Sequence, residues 1–454
     1  MPIAITDEHE ALRQSVRRWL TAHCPPSVPR ALLDADTEEL QPVWKEMAAQ
    51  GWLGIHLPEE HGGQGFGLLE LAIVLEETGR AMVPGPLLPT VAASTVIAAT
   101  ATPGQAAGML PGLIDGSAPA ALSLGDTGLV VTDTSPTGAL IVSGTLRPLL
   151  GAGTAATVLA PARRPDGGEV WCVLDLTGPG GPVTVTPLPS LDPTRRLGAV
   201  EVDAATVSVD AQLPAVTTAQ VRQVVVTLLA AEHAGATRWC LETASEYANV
   251  RIQFGRPIGQ FQAVKHRLAD MAIRVEQMTA VAWDAAVALS TGDADGSALA
   301  AATAGSLALD GYALSAQECI QLLGGIGFTW EHDAHLHLKR SMADRQLMGE
   351  PDTFRVAVAE AAASGARRAL ATDLPDEADA IRSELAPVVA GLAAAPEDQR
   401  RRLMVDAGLV MPHWPKPWGR GAGAVEQVVI DEQLAEAGIT RPHISIGAWA
   451  LPLP

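Results

Sequence analysis

From Asp7 onward the apolar positions Leu12, Val16, Trp19 and Leu20 recur at three- and four-residue intervals, and Asp7 and Glu10 stand where a helix start favours negative charge. The spacing predicts an amphipathic helix at the head of the chain. The same period runs through Val43 to Gly51 and, after the turn-rich stretch LPEEHGGQGFG, through Leu68 to Thr78, which carries the Glu76, Glu77 pair. Residues 1–117 therefore read as a helical domain. Beyond Gly116 the pattern shortens to β-favouring runs, LVVTD, ALIVSG, TVLAPA, EVWCVLDL and VTVTPL, separated by Gly, Pro and Asp. They predict a compact antiparallel β-domain over 118–211. From Thr218 to Met348 the helical period returns in three long segments, broken near 249–259 and 292–296, then a GGIGF turn and a shorter helix. The class is α+β, with a four-helix bundle over 212–365.

A fourth region, 376–454, echoes the first. GWLGIHLPEEHGGQG from Gly51 returns loosely as GLVMPHWPKPWGRG from Gly408, and VLEETGRA as VIDEQLAEA. His56 pairs with His413, Pro58 with Pro415, Gly62 with Gly419 and, across one deletion, Glu76 with Glu432. Helical periodicity does not demand matched His and Pro positions, so the pattern predicts a partial second copy of the N-terminal helical domain, in a truncated or split tandem protein.

Composition narrows the function. With 48% hydrophobic and 18% charged residues, the chain has ordinary globular usage. Fifty-one acidic against 31 basic residues give a formal charge of −20, a surface that repels phosphate backbones and anionic lipid. Nucleic acid and membrane are not expected partners, and a phosphorylated ligand needs a locally basic site or backbone amides. Cys24, Cys172, Cys240 and Cys319 are scattered, without metal or redox spacing, and the acidic N-terminus lacks the features of an export signal. No apolar stretch reaches membrane-spanning length, and a reducing, cytoplasmic location is expected.

Two segments carry specific chemistry: RIQFGRPIGQFQAVKHRLADM, Arg251 to Met271, and QLLGGIGFTWEHDAHLHLKR, Gln321 to Arg340. Arg251 falls at the turn between two long helices, where a guanidinium fork can take a pyrophosphate. Gln253 and Gln262 can donate to phosphate or ribose oxygens, Phe254 offers an aromatic face, and Gly324 and Gly325 let the main chain approach a ligand. His332, His335 and His337 do not form a metal set, because His335 and His337 are two apart and point to different faces.

Together the two segments resemble the C-terminal helical domain of flavin-dependent acyl-CoA dehydrogenases, and the resemblance spans roughly residues 1–365. LDPTRRLGAVEVD (Leu191 to Asp203) and GGIGFTWEHDAHLHL resemble the actinobacterial branch acting on steroid side-chain and other bulky CoA thioesters. The resemblance implies an acyl-CoA dehydrogenase fold, FAD as cofactor, an acyl-CoA substrate and electron-transfer flavoprotein as electron acceptor. It implies that Arg251, Gln262, Gln321 and Gly325 hold the adenine and pyrophosphate end of an FAD seated mainly in a neighbouring subunit.

Departures from the family matter as much. The family's glutamate base, followed by glycine on the last helix, falls here on Met348, and its alternative position falls on Val225. Neither side chain can accept a proton. Glu350 is the nearby carboxylate. ALSLGDTGL and GTLRPLLGAG stand where the family grips the flavin ring with Ser and Trp. The expectation is a non-catalytic half of a tandem or α2β2-type enzyme that lends part of an FAD site to a second acyl-CoA dehydrogenase-like half. Two alternatives stay open: an autonomous dehydrogenase using Glu350, and a flavin-free helical assembly subunit.

Overall fold

The computed structural model describes residues 6–35, 39–125, 128–177, 181–368, 374–375 and 377–442, in two compact units divided near residue 370.

The first unit opens with α1 (Asp7–His23), the single turn α2 (Ser27–Arg30) and α3 (Pro42–Ala49), followed by α4 (Leu68–Arg80), α5 (Leu87–Thr100) and α6 (Pro103–Ile114). The Thr6 hydroxyl caps α1 by accepting from the His9 amide at 3.2 Å. α4 is buried almost all round, which suits a helix inside the core rather than on it. Its contact with the first bundle helix, α7 (Thr218–Val250), is set by two glycines. A Cβ on Gly235 would lie 1.7 Å from the Glu76 carbonyl oxygen, and one on Gly79 2.1 Å from that of Glu232, so the two backbones touch where no side chain fits. We expect Gly235→Ala to cost at least 2–3 kcal/mol, about the scale of an overpacked core, read from the midpoint of urea unfolding; an unchanged midpoint would mean that the helices separate freely.

The β-domain contains β1 (Ala120–Leu122), β2 (Leu129–Thr134), β3 (Leu140–Leu150), β4 (Thr157–Arg163), β5 (Glu169–Asp175), β6 (Val183–Pro187), β7 (Leu197–Val207) and β8 (Gln212–Leu213). The order is β6-β7-β3-β1-β4-β5-β8, with β2 beside β3 and β4. Most pairings are antiparallel, but β1 and β2 each run parallel to β4. β1 is apolar throughout because both its faces are covered: Ala121 belongs to the core of the sheet, Ala120 and Leu122 to the helical core.

The bundle continues through a two-residue ribbon, β9 (Ile252–Gln253) and β10 (Arg256–Pro257), into α8 (Gln262–Ser290), α9 (Ala294–Leu323), α10 (Ala334–Met348) and α11 (Pro351–Ala363). α7, α8 and α9 pack on one another, and α10 and α11 lie on α9. Among the described residues no helix is long and apolar enough to cross a membrane.

The second unit holds α12 (Glu377–Ala394), α13 (Glu397–Asp406) and α14 (Ala424–Glu436) around Leu385, Leu392, Met404, Val429, Ile430 and Leu434. Its loop repeats the hydrogen bonding of the first. Leu57 donates to Gly54 at 3.1 Å and Trp414 to Met411 at 3.0 Å; His61 donates to Pro58 and Trp418 to Pro415, both at 3.1 Å. Beyond one deleted residue the match resumes, Gly65 to Leu57 at 2.9 Å with Gly421 to Trp414 at 2.8 Å, and Phe66 to Ile55 at 3.1 Å with Ala422 to Pro412 at 2.9 Å. α1 packs on α4 as α12 packs on α14, with an Arg13–Glu76 contact of 3.5 Å in one and an Arg382–Glu432 ion pair of 3.0 Å in the other. The segments EHEALR (8–13) and EADAIR (377–382) extend the sequence echo to this helix.

Candidate functional site

α7 ends at Arg251, whose amide donates to the Tyr247 carbonyl at 2.9 Å. The ribbon turns on Phe254 and Gly255, both at positive φ (52° and 79°), and this throws the Phe254 ring outward at 92% exposure. Arg256 lies over the Phe261 ring at 4.3 Å, and α8 starts at once with Gln262. Opposite, α9 stops because Gly324 adopts φ 62° and ψ −131°, a conformation that requires glycine. A Cβ on Gly324 or Gly325 would meet nothing within 4 Å.

A shallow hollow of about 370 Å³ between these two turns is lined by Gln253, Phe254, Phe261, Arg267, Gln321 and Leu322. It gathers Gln253, Phe254 and Gln321 of the predicted set. Arg251, Gln262, Gly324 and Gly325 do not line it; they are exposed on the chain segments at its edges. Arg251 makes no ion pair among the described residues, so its fork is open to a ligand. Phe328 and Trp330, just past the glycine turn, are 91% and 69% exposed, so the surroundings are apolar. An open cation, donor amides and an unshielded aromatic ring fit the adenine and pyrophosphate end of a flavin dinucleotide.

The two family base positions meet elsewhere. Met348 at the end of α10 and Val225 on α7 line one pocket together with Leu88, Leu122, Leu124 and Leu150. Leu122 and Leu124 come from ALSLGDTGL and Leu150 from GTLRPLLGAG, the stretches standing at the family's ring-gripping segments. What remains of the space is about 20 Å³, room for one water and far below the roughly 300 Å³ or more of sites for drug-sized ligands. An isoalloxazine ring and a thioester do not fit it. Glu350 does not line this pocket: it caps the start of α11, its side chain is 79% exposed, and it faces Arg345 at 3.4 Å.

One carboxylate does reach the pocket wall, Asp344, and it belongs to a buried ionic cluster that sequence reasoning did not find. Arg195 donates to Glu232 at 2.7 Å and to Asp344 at 2.6 Å. Arg340, fully buried, donates to Glu232 at 3.0 Å, Asp192 at 3.0 Å, the Val83 carbonyl at 3.1 Å and the Thr194 hydroxyl at 2.5 Å. His233 completes it, with Nε2 3.0 Å from Asp344. Burial works against the charge on Asp344, but Arg195 and His233 overcome it and hold the carboxyl below its usual range, a poor setting for a base. The cluster joins the loop before β7 to α7 and α10. Its sequence trace was DPTRR, followed far downstream by Arg340 and Asp344 one helical turn apart.

His335 and His337 separate as their spacing predicts, His337 stacking on Trp239 at 4.0 Å and His335 meeting the edge of Trp330 at 4.9 Å, while His332 lies 6.2 Å from the same Trp239 ring.

Comparison with known proteins gives the arrangement its family. Residues 6–117 match the model of the acyl-CoA dehydrogenase N-terminal domain and residues 227–363 that of the C-terminal domain, together more than half of the chain. The chain is 38% identical to acyl-CoA dehydrogenase FadE34 of Mycobacterium tuberculosis over its whole length, and spans 61% of that longer protein. It is 34% identical to acyl-CoA dehydrogenase IpdE2 of the same organism over 76% of this chain and 94% of the relative. Among solved structures, a variant of the Tcur3481-Tcur3483 steroid acyl-CoA dehydrogenase superposes with a TM-score of 0.72 at 29% identity, over 80% of this chain and 99% of that one. A helical pair of domains around a β-domain and these matches agree: the chain belongs to the acyl-CoA dehydrogenases, a family of FAD-dependent oxidoreductases.

Proposed function

We propose that this chain is the non-catalytic half of a tandem or α2β2-type acyl-CoA dehydrogenase, one that removes hydrogens from the α and β carbons of a bulky, steroid-type acyl-CoA thioester. Arg251, Gln253, Phe254, Gln262, Gln321, Gly324 and Gly325 lend a binding surface to the adenine and pyrophosphate end of FAD. A second acyl-CoA dehydrogenase-like half supplies the ring seat, the base and the thioester pocket. When bound, the flavin accepts the β-hydride and passes electrons on, by resemblance to electron-transfer flavoprotein. The residues of this chain do less: Arg251 neutralises pyrophosphate charge, Phe254 covers the adenine, and the bare backbone at Gly324 and Gly325 admits close approach.

The observation that carries this reading is the filled pocket at Met348 and Val225, where the family's proton acceptor has no counterpart and the substrate no room. The exposed Glu350, turned to Arg345, favours no autonomous reaction. The recurring hydrogen bonds of the second unit support a duplicated N-terminal domain, as a tandem arrangement requires.

Titrating the purified chain with FAD, alone and with its co-purified partner half, tests this. The isolated chain is expected to leave FAD and acyl-CoA unchanged, while the assembled pair holds flavin and Arg251→Ala weakens its retention at least tenfold, the scale of one lost charge-assisted pair. Stoichiometric flavin with acyl-CoA oxidation by the chain alone would overturn it. A native complex without flavin absorbance would point to the assembly role.

A further inference from the structure

Away from both the flavin face and the filled base site, a pocket of about 190 Å³ opens between α1, α2, the end of α4 and the facing turns of α7 and α10. Its walls are Leu20, Pro25, Pro29, Met82 and Trp239. Met82 sits at φ 54°, where a side chain other than glycine costs on the order of 1–3 kcal/mol, strain of the kind that gathers at binding sites. The charges at the rim are already matched: Arg17 with Glu77 at 2.7 Å, Arg80 with Glu242 at 2.6 Å, and Asp333 with Arg30. Among the described residues that line it, no open cation is left to draw an anionic ligand.

His337 forms part of the lining and is 99% buried, with Trp239 stacked flat on its ring. Nδ1 lies 3.0 Å from the Tyr312 hydroxyl. That hydroxyl has one proton, and its other neighbour is the weakly accepting sulfur of Met82 at 3.8 Å. Tyr312 therefore donates to Nδ1, which places the ring's own proton on Nε2. Nε2 has no hydrogen-bond partner among the described residues. Burial, reinforced by Arg340 and Arg80, holds this imidazole well below its usual range, so the ring is neutral. The ring is reached from the pocket, so its N–H is a donor open to a ligand oxygen.

We infer that this pocket binds a small, uncharged, largely apolar molecule whose carbonyl oxygen accepts a hydrogen bond from His337 Nε2–H. The matched rim charges exclude carboxylates and CoA phosphates. The apolar walls supply most of the affinity, and the single donor selects a ketone over its hydrocarbon.

The probes are 1-indanone and indane, the same frame without the oxygen, titrated calorimetrically into the full chain. Both should bind, the ketone about tenfold more tightly, the scale of one buried hydrogen bond. In His337→Phe the two affinities should converge on that of indane, and Leu20→Trp, which fills the pocket, should abolish both. A ¹⁵N spectrum of the native histidine rings gives a second reading that needs no variant: the His337 Nε2–H resonance should move with indanone and stay with indane. Failure of 1-indanone to bind at millimolar concentration, equal affinity of the two probes, or a preference that survives in His337→Phe overturns the inference.

Discussion

Replacing Arg340 with leucine should lower the stability of the 3–369 unit by about 3–5 kcal/mol, the usual consequence of removing one partner from a buried ion cluster. The guanidinium donates to Asp192, Glu232, the Val83 carbonyl and the Thr194 hydroxyl, all buried. Leucine fills part of the volume and none of the hydrogen bonding. Asp192 keeps only Arg195, at 3.8 Å, as a cation, and Arg195 must serve three carboxylates. The measurement is the urea midpoint of this unit followed by tryptophan fluorescence. The double variant Arg340→Leu, Glu232→Gln should lose less than the sum of the single changes, because the second removes the charge that the first strands. A loss below 1 kcal/mol would mean that water reaches the cluster and solvates the orphaned carboxylates.

That cluster ties three separate stretches of the chain together through buried charge. Asp192, Thr194 and Arg195 come from the loop before β7, Glu232 and His233 from α7, Arg340 and Asp344 from α10. A hydrophobic contact would join these elements at many registers, whereas paired guanidinium forks accept few. α10 is thereby held with Met348 in the wall of the pocket that Val225 also lines, and the same helix is tied to the loop before β7. The surface around Arg251 makes the opposite use of charge: the side chain is exposed and unpaired among the described residues, as the proposed flavin contact needs.

How far the residues disclosed this depends on whether a feature is local. The helices follow from spacing such as Leu12, Val16 and Leu20, whereas α1 is capped by Thr6 and not by Asp7 or Glu10, the acidic residues the sequence offers for that end. The turn at Phe254 and Gly255 and the glycines past α9 are local too, so the two turns and the exposed side chains on them follow from the sequence. The resemblance puts Met348 and Val225 at the family's base positions, but does not say that Leu122, Leu124 and Leu150 line the same pocket, since that depends on how β1 and β3 meet the bundle. The parallel pairing of β1 and β2 with β4 was equally hidden, because period-two alternation carries no strand direction. The cluster left the weakest trace. Its members lie up to 152 residues apart, from Asp192 to Asp344, and charged residues are exposed by default, so nothing short of the fold marks them as buried.

Glu76 provides the second large effect, one that pH controls. Its side chain is almost fully buried on α4, accepts the indole N–H of Trp283 and lies 3.5 Å from Arg13, and burial pushes its carboxyl up from 4.5 to about 7. Because the folded state holds the proton more tightly than the unfolded chain, this group's contribution is fully present below about pH 4.5. It declines as pH rises and is lost above about pH 7, for a total on the order of 3 kcal/mol. Glu76→Gln keeps an acceptor for Trp283 and removes the charge, while Arg13 retains Glu10 at 3.0 Å. The variant should match the native chain near pH 4.5 and exceed its stability by 2–3 kcal/mol, roughly, at pH 8. Urea midpoints across that range decide it, and parallel curves for the two proteins would place the ionised carboxylate in water. Glu432, half-buried and paired with Arg382, makes the contrast: it falls opposite Glu76 in the sequence echo between the two units. There Glu432→Gln should change stability by less than about 1 kcal/mol at any pH, since an exposed pair has little desolvation to relieve.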